Sequence, residues 1–264
     1  MSGAQRNEWI AEMERLIDEY KPAEALAFVR EKFGEQPEDL RVLVALCKIL
    51  YARANCEADL AARVRWLRDG ERQAKRALAV APADFEALKY AAAIVGTLAE
   101  HTDDTRARIN AAHDFKQLLD RALALRADDA MLLHMRGRFR FHIAGISLLE
   151  RTFAALFFRT VPAATYADAL ADFLAMERAA GDEADDAVDN LLFIGKCYKQ
   201  LGQTDKAVEY LRKIATGEPV DSMDAGHMAE ARDLLLEIDP FFQFDDEATG
   251  GTDESVDTAE EGHF

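Results

Sequence analysis

Between Val188 and Pro219 the sequence carries a pattern that leaves few folds open. Leu191, Ile194 and Gly195 lead to Tyr198, and Ala207, Leu211 and Ile214 follow at the spacing of a second helix before Pro219 stops it. Each residue type has a mechanical reason. Glycine and alanine leave room where two antiparallel helices cross closely, and proline cannot continue a helix. Tyr198 and Leu211 are expected to fill the gap to the neighbouring hairpin. The spacing is that of a helix–turn–helix unit of about 34 residues, which buries its apolar face only by stacking on further units.

Weaker copies precede it. Ala74, Ala77 and Pro82 read as the end of one unit, and Leu119, Ala122 and Ala127 as the end of another. Leu133 and Gly137 fit a first helix whose partner, around Tyr166, Ala169, Phe173 and Met176, comes only after an insertion. Apolar residues three and four apart predict helices throughout. Trp9, Met13, Leu16, Ile17 and Tyr20 share one face, Pro22 opens a helix running to about Phe33, and a third carries Leu40, Leu43, Val44, Cys47, Ile49 and Leu50. Others are expected near 59–80, 84–101, 104–126, 129–146, 165–179, 186–201, 204–216 and 222–238. Alanine is plentiful and the chain has only 6 prolines, which favours helix over strand. The expected fold is all-α, a tetratricopeptide-like α-hairpin solenoid with a helical insertion, over residues 1–238. An acidic tail over 239–264, with little to bury, is expected to be disordered.

Charge is unevenly placed. The net charge is −17, and nine of the acids lie from Asp239 onward with no Lys or Arg among them. Such a balance argues against general binding to nucleic acid or anionic membranes. Two basic clusters stand out locally. Arg65, Arg68, Arg72, Lys75 and Arg76 share one broad face of a helix, with Arg63 nearby; this strip suits an acidic partner. Its bland reading is a solvated face balanced by Asp59, Asp69 and Glu71. A second group, Arg136, Arg138, Arg140, Arg151 and Arg159, surrounds the insertion. There Arg138 and Lys196 fall at the same groove-facing position of their repeats, placed for a peptide carboxylate or a phosphate unless Glu150 and other acids neutralise them. The insertion itself, with Phe153, Leu156, Phe157, Phe158 and Val161, is unusually apolar. It is expected to thicken the core, with a lipid acyl chain as the alternative occupant. Phe241, Phe242 and Phe244 are expected to fold back over the last hairpin, with a short docking motif as the alternative.

Nothing points to chemistry. The six histidines form no HExxH and no i, i+4 metal pair, and the phosphate-cradling and nucleophile-elbow patterns are missing. No catalytic residue, cofactor or metal is expected. Cys47, Cys56 and Cys197 form no CxxC pair and are read as reduced thiols. Neither an apolar leader nor a run of about 18 apolar residues occurs, so the expectation is a cytoplasmic protein without a transmembrane segment.

The stretch from 131 to 176 is the most distinctive. It reads Met131-Leu132-Leu133-His134-Met135-Arg136-Gly137-Arg138, then Phe141, then Ala144-Gly145-Ile146-Ser147-Leu148-Leu149-Glu150-Arg151. Ala155-Leu156-Phe157-Phe158, Pro162-Ala163-Ala164-Thr165-Tyr166, Ala169-Leu170 and Phe173 complete it. In this stretch, and in Ala74-Lys75-Arg76-Ala77-Leu78, Ala87-Leu88-Lys89-Tyr90-Ala91 and the Gly195–Tyr198 unit, the chain resembles the regulator of microtubule dynamics family, collinear from about Leu16 to Leu236. That family's tetratricopeptide-like domain carries such an insertion. The resemblance implies a non-enzymatic scaffold linked to microtubules, tubulin or spindle proteins. Some vertebrate members carry a membrane anchor and act at organelle contacts, at least one with a link to lipid binding. No anchor is expected in this chain, and it departs from those members in Tyr90, where the family's tryptophan is expected, and in its acidic tail.

Overall fold

The computed structural model describes residues 3–147, 151–152, 162–181, 187–216 and 222–244, and within them the regular structure is helical. The helices are α1 (Gly3–Asp18), α2 (Pro22–Phe33), α3 (Leu40–Asn55), α4 (Leu60–Val80), α5 (Phe85–Glu100) and α6 (Thr105–Leu125). They continue as α7 (Ala130–Gly145), α8 (Tyr166–Ala180), α9 (Val188–Gln200), α10 (Thr204–Ala215) and α11 (Ser222–Ile238). Successive helices pair as α1 with α2, α3 with α4, α5 with α6, α7 with α8 and α9 with α10, and α11 packs on both α9 and α10. This is the stacked-hairpin architecture that the Gly195–Tyr198 unit implies.

A periodicity longer than 34 residues organises the front half. Asp39, Asp84 and Asp129, at an interval of 45 residues, each precede the first helix of a hairpin and accept a backbone N–H from its first turn. Asp59 and Asp104, at the same interval, do so for the second helices. Each such cap is worth about 1 kcal/mol, because it satisfies a donor the helix start leaves unpaired. Tertiary ties recur in the same register: Arg76 donates to the Pro37 carbonyl and Arg121 to the Pro82 carbonyl. The second helices α4 and α6 are both 21 residues long, whereas α10 has 12. These long second helices explain why the front units match a 34-residue pattern only at their ends.

Apolar layers run from end to end. Trp9, Met13 and Leu16 of α1 pack with Leu26, Val29, Leu46 and Ile49; Leu67 and Ala74 of α4 pack with Ala91 and Ile94 of α5. Phe115 of α6 reaches α7 by a tilted contact with Phe139, ring centroids 5.5 Å apart. Phe242 and Phe244 pack against the α9–α11 layer, with the Arg212 guanidinium over Phe242, so the folded body extends past Ile238; Phe241 stays exposed. The remaining tail residues, 245–264, lie outside the described set. Cys47 and Cys197 are buried and Cys56 is exposed, and none of the three forms a disulfide among the described residues. Burial pushes the thiols of Cys47 and Cys197 up to about 12, so they serve as small apolar side chains.

Two glycines are fixed by close approach. A β-carbon at Gly137 would stand 2.6 Å from the Phe173 ring, and one at Gly195 would stand 2.7 Å from Leu211. Leu211 therefore fills the space above Gly195 inside its own hairpin as well as reaching α11 in the next layer. Gly137→Ala is expected to destabilise the fold by about 1–3 kcal/mol in urea unfolding, since a ring and two helices must shift. Gly226→Ala in α11, where a β-carbon meets nothing within 4 Å, is expected to stabilise it by about 0.5–1 kcal/mol.

A charged and aromatic cluster on the inner face

The first helices of the hairpins, α3, α5, α7 and α9, together with α11, present side chains to one another on one side of the stack, here the inner face. Ion pairs join α1 to α3, α5 to α7, α7 to α9 and α9 to α11. Lys48 of α3 meets Glu14 of α1 at 3.3 Å, and Lys89 of α5 meets Asp129 at the start of α7 at 3.4 Å. Arg138 of α7 meets Glu100 of α5 at 2.9 Å and Asp189 of α9 at 3.3 Å. Lys196 of α9 donates to Glu230 of α11 at 2.6 Å, and Lys199 to Glu237.

Asp189 is the hub. Its Oδ2 faces His134 Nε2 at 2.9 Å and Arg138 Nη1 at 3.3 Å, and its Oδ1 lies 3.6 Å from His227 Nε2. The other ring nitrogen of His134, Nδ1, faces Asn190 Oδ1 at 3.1 Å, while Asn190 Nδ2 donates to the Phe173 carbonyl. Both ring nitrogens of His134 thus face side-chain oxygens of α9, which ties α7 to α9 at this point. Burial alone would raise the Asp189 carboxyl. The hydrogen bond from His134 and the charges of His134, Arg138 and His227 outweigh it and hold the group well below the usual carboxylate range. Beside this hub the Tyr51 hydroxyl lies near Asn55, Thr97 and Arg138, and burial raises its pKa.

An aromatic floor supports the charges. Phe193 stacks on Phe173 with centroids 5.3 Å apart, and the edges of Phe141, His134 and His142 meet it. The cations of Arg138 and Lys196 stand 5.3 and 4.8 Å from its centroid. Such contacts favour a cation over a ring face and fix where these two side chains sit.

The sequence-derived site residues divide by surroundings. Arg138 and Lys196 do lie together on the inner face, each with an internal acid. Arg136 and Arg140 point elsewhere: both clamp Asp172 of α8, a carboxylate only 4% exposed. Arg151 is a backbone clasp, donating to the carbonyls of Ile143, Ile146 and Pro162. On α4, Arg65 is exposed. Arg68, Arg72 and Lys75 are 56%, 67% and 71% exposed and pair with Glu71 and Asp69 of their own helix. Arg76 is half-buried and tied to Gln73 and Pro37, and Arg63 to the Glu57 carbonyl. Phe153, Leu156, Phe157, Phe158, Val161, Glu150 and Arg159 lie outside the described residues. Asp189, Glu100, Tyr51, His227 and Asp172 complete these networks and went unmarked in the sequence. Among the described residues no group of three or more His, Cys, Asp or Glu could hold a metal, and no helix is long and apolar enough to cross a membrane.

Comparison with known proteins agrees with this architecture. A family model described as Regulator of microtubule dynamics protein 1-3 matches residues 9–239. Regulator of microtubule dynamics protein 1 of Caenorhabditis elegans is 33% identical over 206 residues, covering 78% of this chain and 88% of that protein. Regulator of microtubule dynamics protein 2 of Rattus norvegicus is 28% identical over 204 residues, 75% of this chain. The match spans 48% of the rat protein, so the chain corresponds to about half of that longer relative. Among solved structures, a thermophilic TPR protein of Thermus thermophilus superposes with a TM-score of 0.57 at 16% identity. That match covers 87% of this chain and 99% of the bacterial one, and it supports the tetratricopeptide-like fold.

The buried Asp172 and the partly buried Asp189 generate separate expectations. Asp172→Ala strands two partly buried arginines and is expected to cost about 3–5 kcal/mol in urea unfolding. The folded-state pKa of Asp189 is depressed, so its stabilising effect is complete above the ordinary Asp range of about 4 and fades as pH falls toward the folded-state value. Asp189→Asn is expected to lower the urea midpoint at pH 7, with the gap to wild type narrowing as pH drops below about 4. A gap that stays constant into acid would mean that the carboxylate charge does not hold these helices together.

Proposed function

The chain belongs to the regulator of microtubule dynamics family, and from that premise we propose that it is a non-enzymatic interaction scaffold of the microtubule cytoskeleton. In this reading the partner is tubulin or a spindle protein, met through the second-helix surface of the solenoid rather than the inner face. The observation that carries it is the state of the cations on α4. Between Leu60 and Val80 there are six basic side chains against two acidic ones. Among the described residues, the exposed Arg68, Arg72 and Lys75 pair with acids of their own helix, as in Arg72–Asp69 and Lys75–Glu71. Exposed pairs of this kind are worth about 0–1 kcal/mol, so an incoming acidic segment displaces them at small cost. On the inner face, by contrast, Arg138 and Lys196 are drawn into networks that join different helices.

A basic strip on a chain of net charge −17 also orients the encounter, because the rest of the molecule repels a polyanion. Association is then steep in salt, because added ions shorten the Debye length from about 30 Å at 0.01 M to about 8 Å at 0.15 M and screen these exposed charges. The measurement is co-sedimentation of the full chain with taxol-stabilised microtubules at low and physiological salt. Reversal of Arg65, Arg68 and Arg72 to Glu is expected to weaken pelleting roughly tenfold or more, and so is removal of tubulin's acidic tails. Equal pelleting by wild-type and charge-reversed protein would rule out this surface; no pelleting of wild type at low salt would make the cytoskeletal link indirect.

A further inference from the structure

Two arginines two residues apart on α7 use the same guanidinium edge differently. In Arg136, Nε and Nη2 both donate to Asp172 Oδ1, at 3.0 and 2.8 Å, so the side-on fork is filled. In Arg138, Nη1 is anchored on Asp189 and Nη2 donates to Glu100 Oε1 at 2.9 Å, but Nε is buried and has no hydrogen-bond partner among the described residues. A two-pronged donor is therefore held by one prong. An unpaired buried N–H is costly, and natural structures rarely leave one.

The group on the occupied prong is poorly placed to stay. Glu100 is the last residue of α5, where the free carbonyls gather negative charge and a carboxylate is disfavoured. Its side chain is 43% exposed, whereas Asp189, on the other end of the guanidinium, is 26% exposed and also held by His134. Movement of Glu100 frees the Nε–Nη2 edge without disturbing the anchor. Lys196 and the exposed ring of His142 stand beside the same aromatic floor. Asp189 and Glu230 already balance Arg138 and Lys196, so exchange of Glu100 for another carboxylate leaves the local charge unchanged.

We propose that Arg138 anchors a second binding site, on the inner face, that takes a carboxylate of an acidic peptide, with Glu100 as the built-in competitor that the ligand displaces. A planar carboxylate meets Nε and Nη2 together, in the bidentate geometry that Glu100 does not reach. The site stands apart from the α4 strip and does not rest on the microtubule reading.

The test uses the full chain labelled with ¹⁵N-arginine and N-acetyl-triglutamate amide as the probe, following the Arg138 Nε–Hε resonance, assigned by its loss in Arg138→Lys. The expected result is a saturable shift of that resonance in wild type. Glu100→Gln, which removes the competitor and keeps the Asp189 anchor, is expected to bind several-fold tighter. Arg138→Lys keeps the charge but lacks the fork and is expected to bind at least about tenfold more weakly. Should Arg138→Lys fold poorly, the Glu100→Gln comparison and the wild-type resonance still decide. The proposal is overturned if Glu100→Gln binds no tighter or if the resonance is unmoved at saturating peptide. It is equally overturned if Arg68→Glu/Arg72→Glu abolishes the response, which would put the peptide on α4. Inorganic phosphate moving the same resonance at lower concentration than the peptide would replace the carboxylate assignment.

Discussion

The ring of Phe173 occupies the place where a β-carbon on residue 137 would have to stand, and Leu211 does the same to residue 195. These two contacts set how near the paired helices approach, and the remaining architecture follows from that nearness. Helices that cross so closely bury one face of the hairpin and leave another apolar face uncovered, so each hairpin is stable only against the next. The apolar layers from Trp9 to Phe244 are the result. Stacking in turn brings the first helices side by side, and the charges of the inner face are a consequence of that alignment.

Charge plays two different parts in this molecule. On α4 it lies on the water side, in pairs made along one helix, and adds little to the fold. Around Asp172 and Asp189 it is withdrawn from water and bridges different helices, so removing one partner leaves another stranded. Pairs of the first kind cost little to separate. The second kind fixes how hairpins sit against one another, with Arg138 reaching both α5 and α9.

Much of this was legible in the sequence because the C-terminal hairpin is short and regular: Gly195, Tyr198, Ala207 and Leu211 sit where a 34-residue unit needs them. Helix positions followed from three-to-four periodicity, and internal partners for the second basic cluster were one of the two readings the residues left open. Less was visible where contacts join distant helices. Asp189 reads as an ordinary first-turn acid of α9, since nothing local marks it as facing His134, 55 residues earlier. Arg76 and Arg72 look alike on a helical projection, yet only Arg76 reaches the Pro37 carbonyl, 39 residues away. The 45-residue interval was hidden for a different reason. Its markers are the capping residues Asp39, Asp84 and Asp129 rather than apolar positions, and the insertion breaks the count before a fourth copy.

Arg151 carries one more implication. By donating to Ile143 and Ile146 on one side and to Pro162 on the other, a single guanidinium cinches the neck of the insertion. The end of α7 and the approach to α8 are thereby tied to each other directly, whatever the length of chain that joins them. Lengthening such a closed loop costs only about 0.6 kcal/mol per doubling. The insertion is thus a place where this scaffold can acquire or shed sequence while the hairpin beneath it keeps its shape.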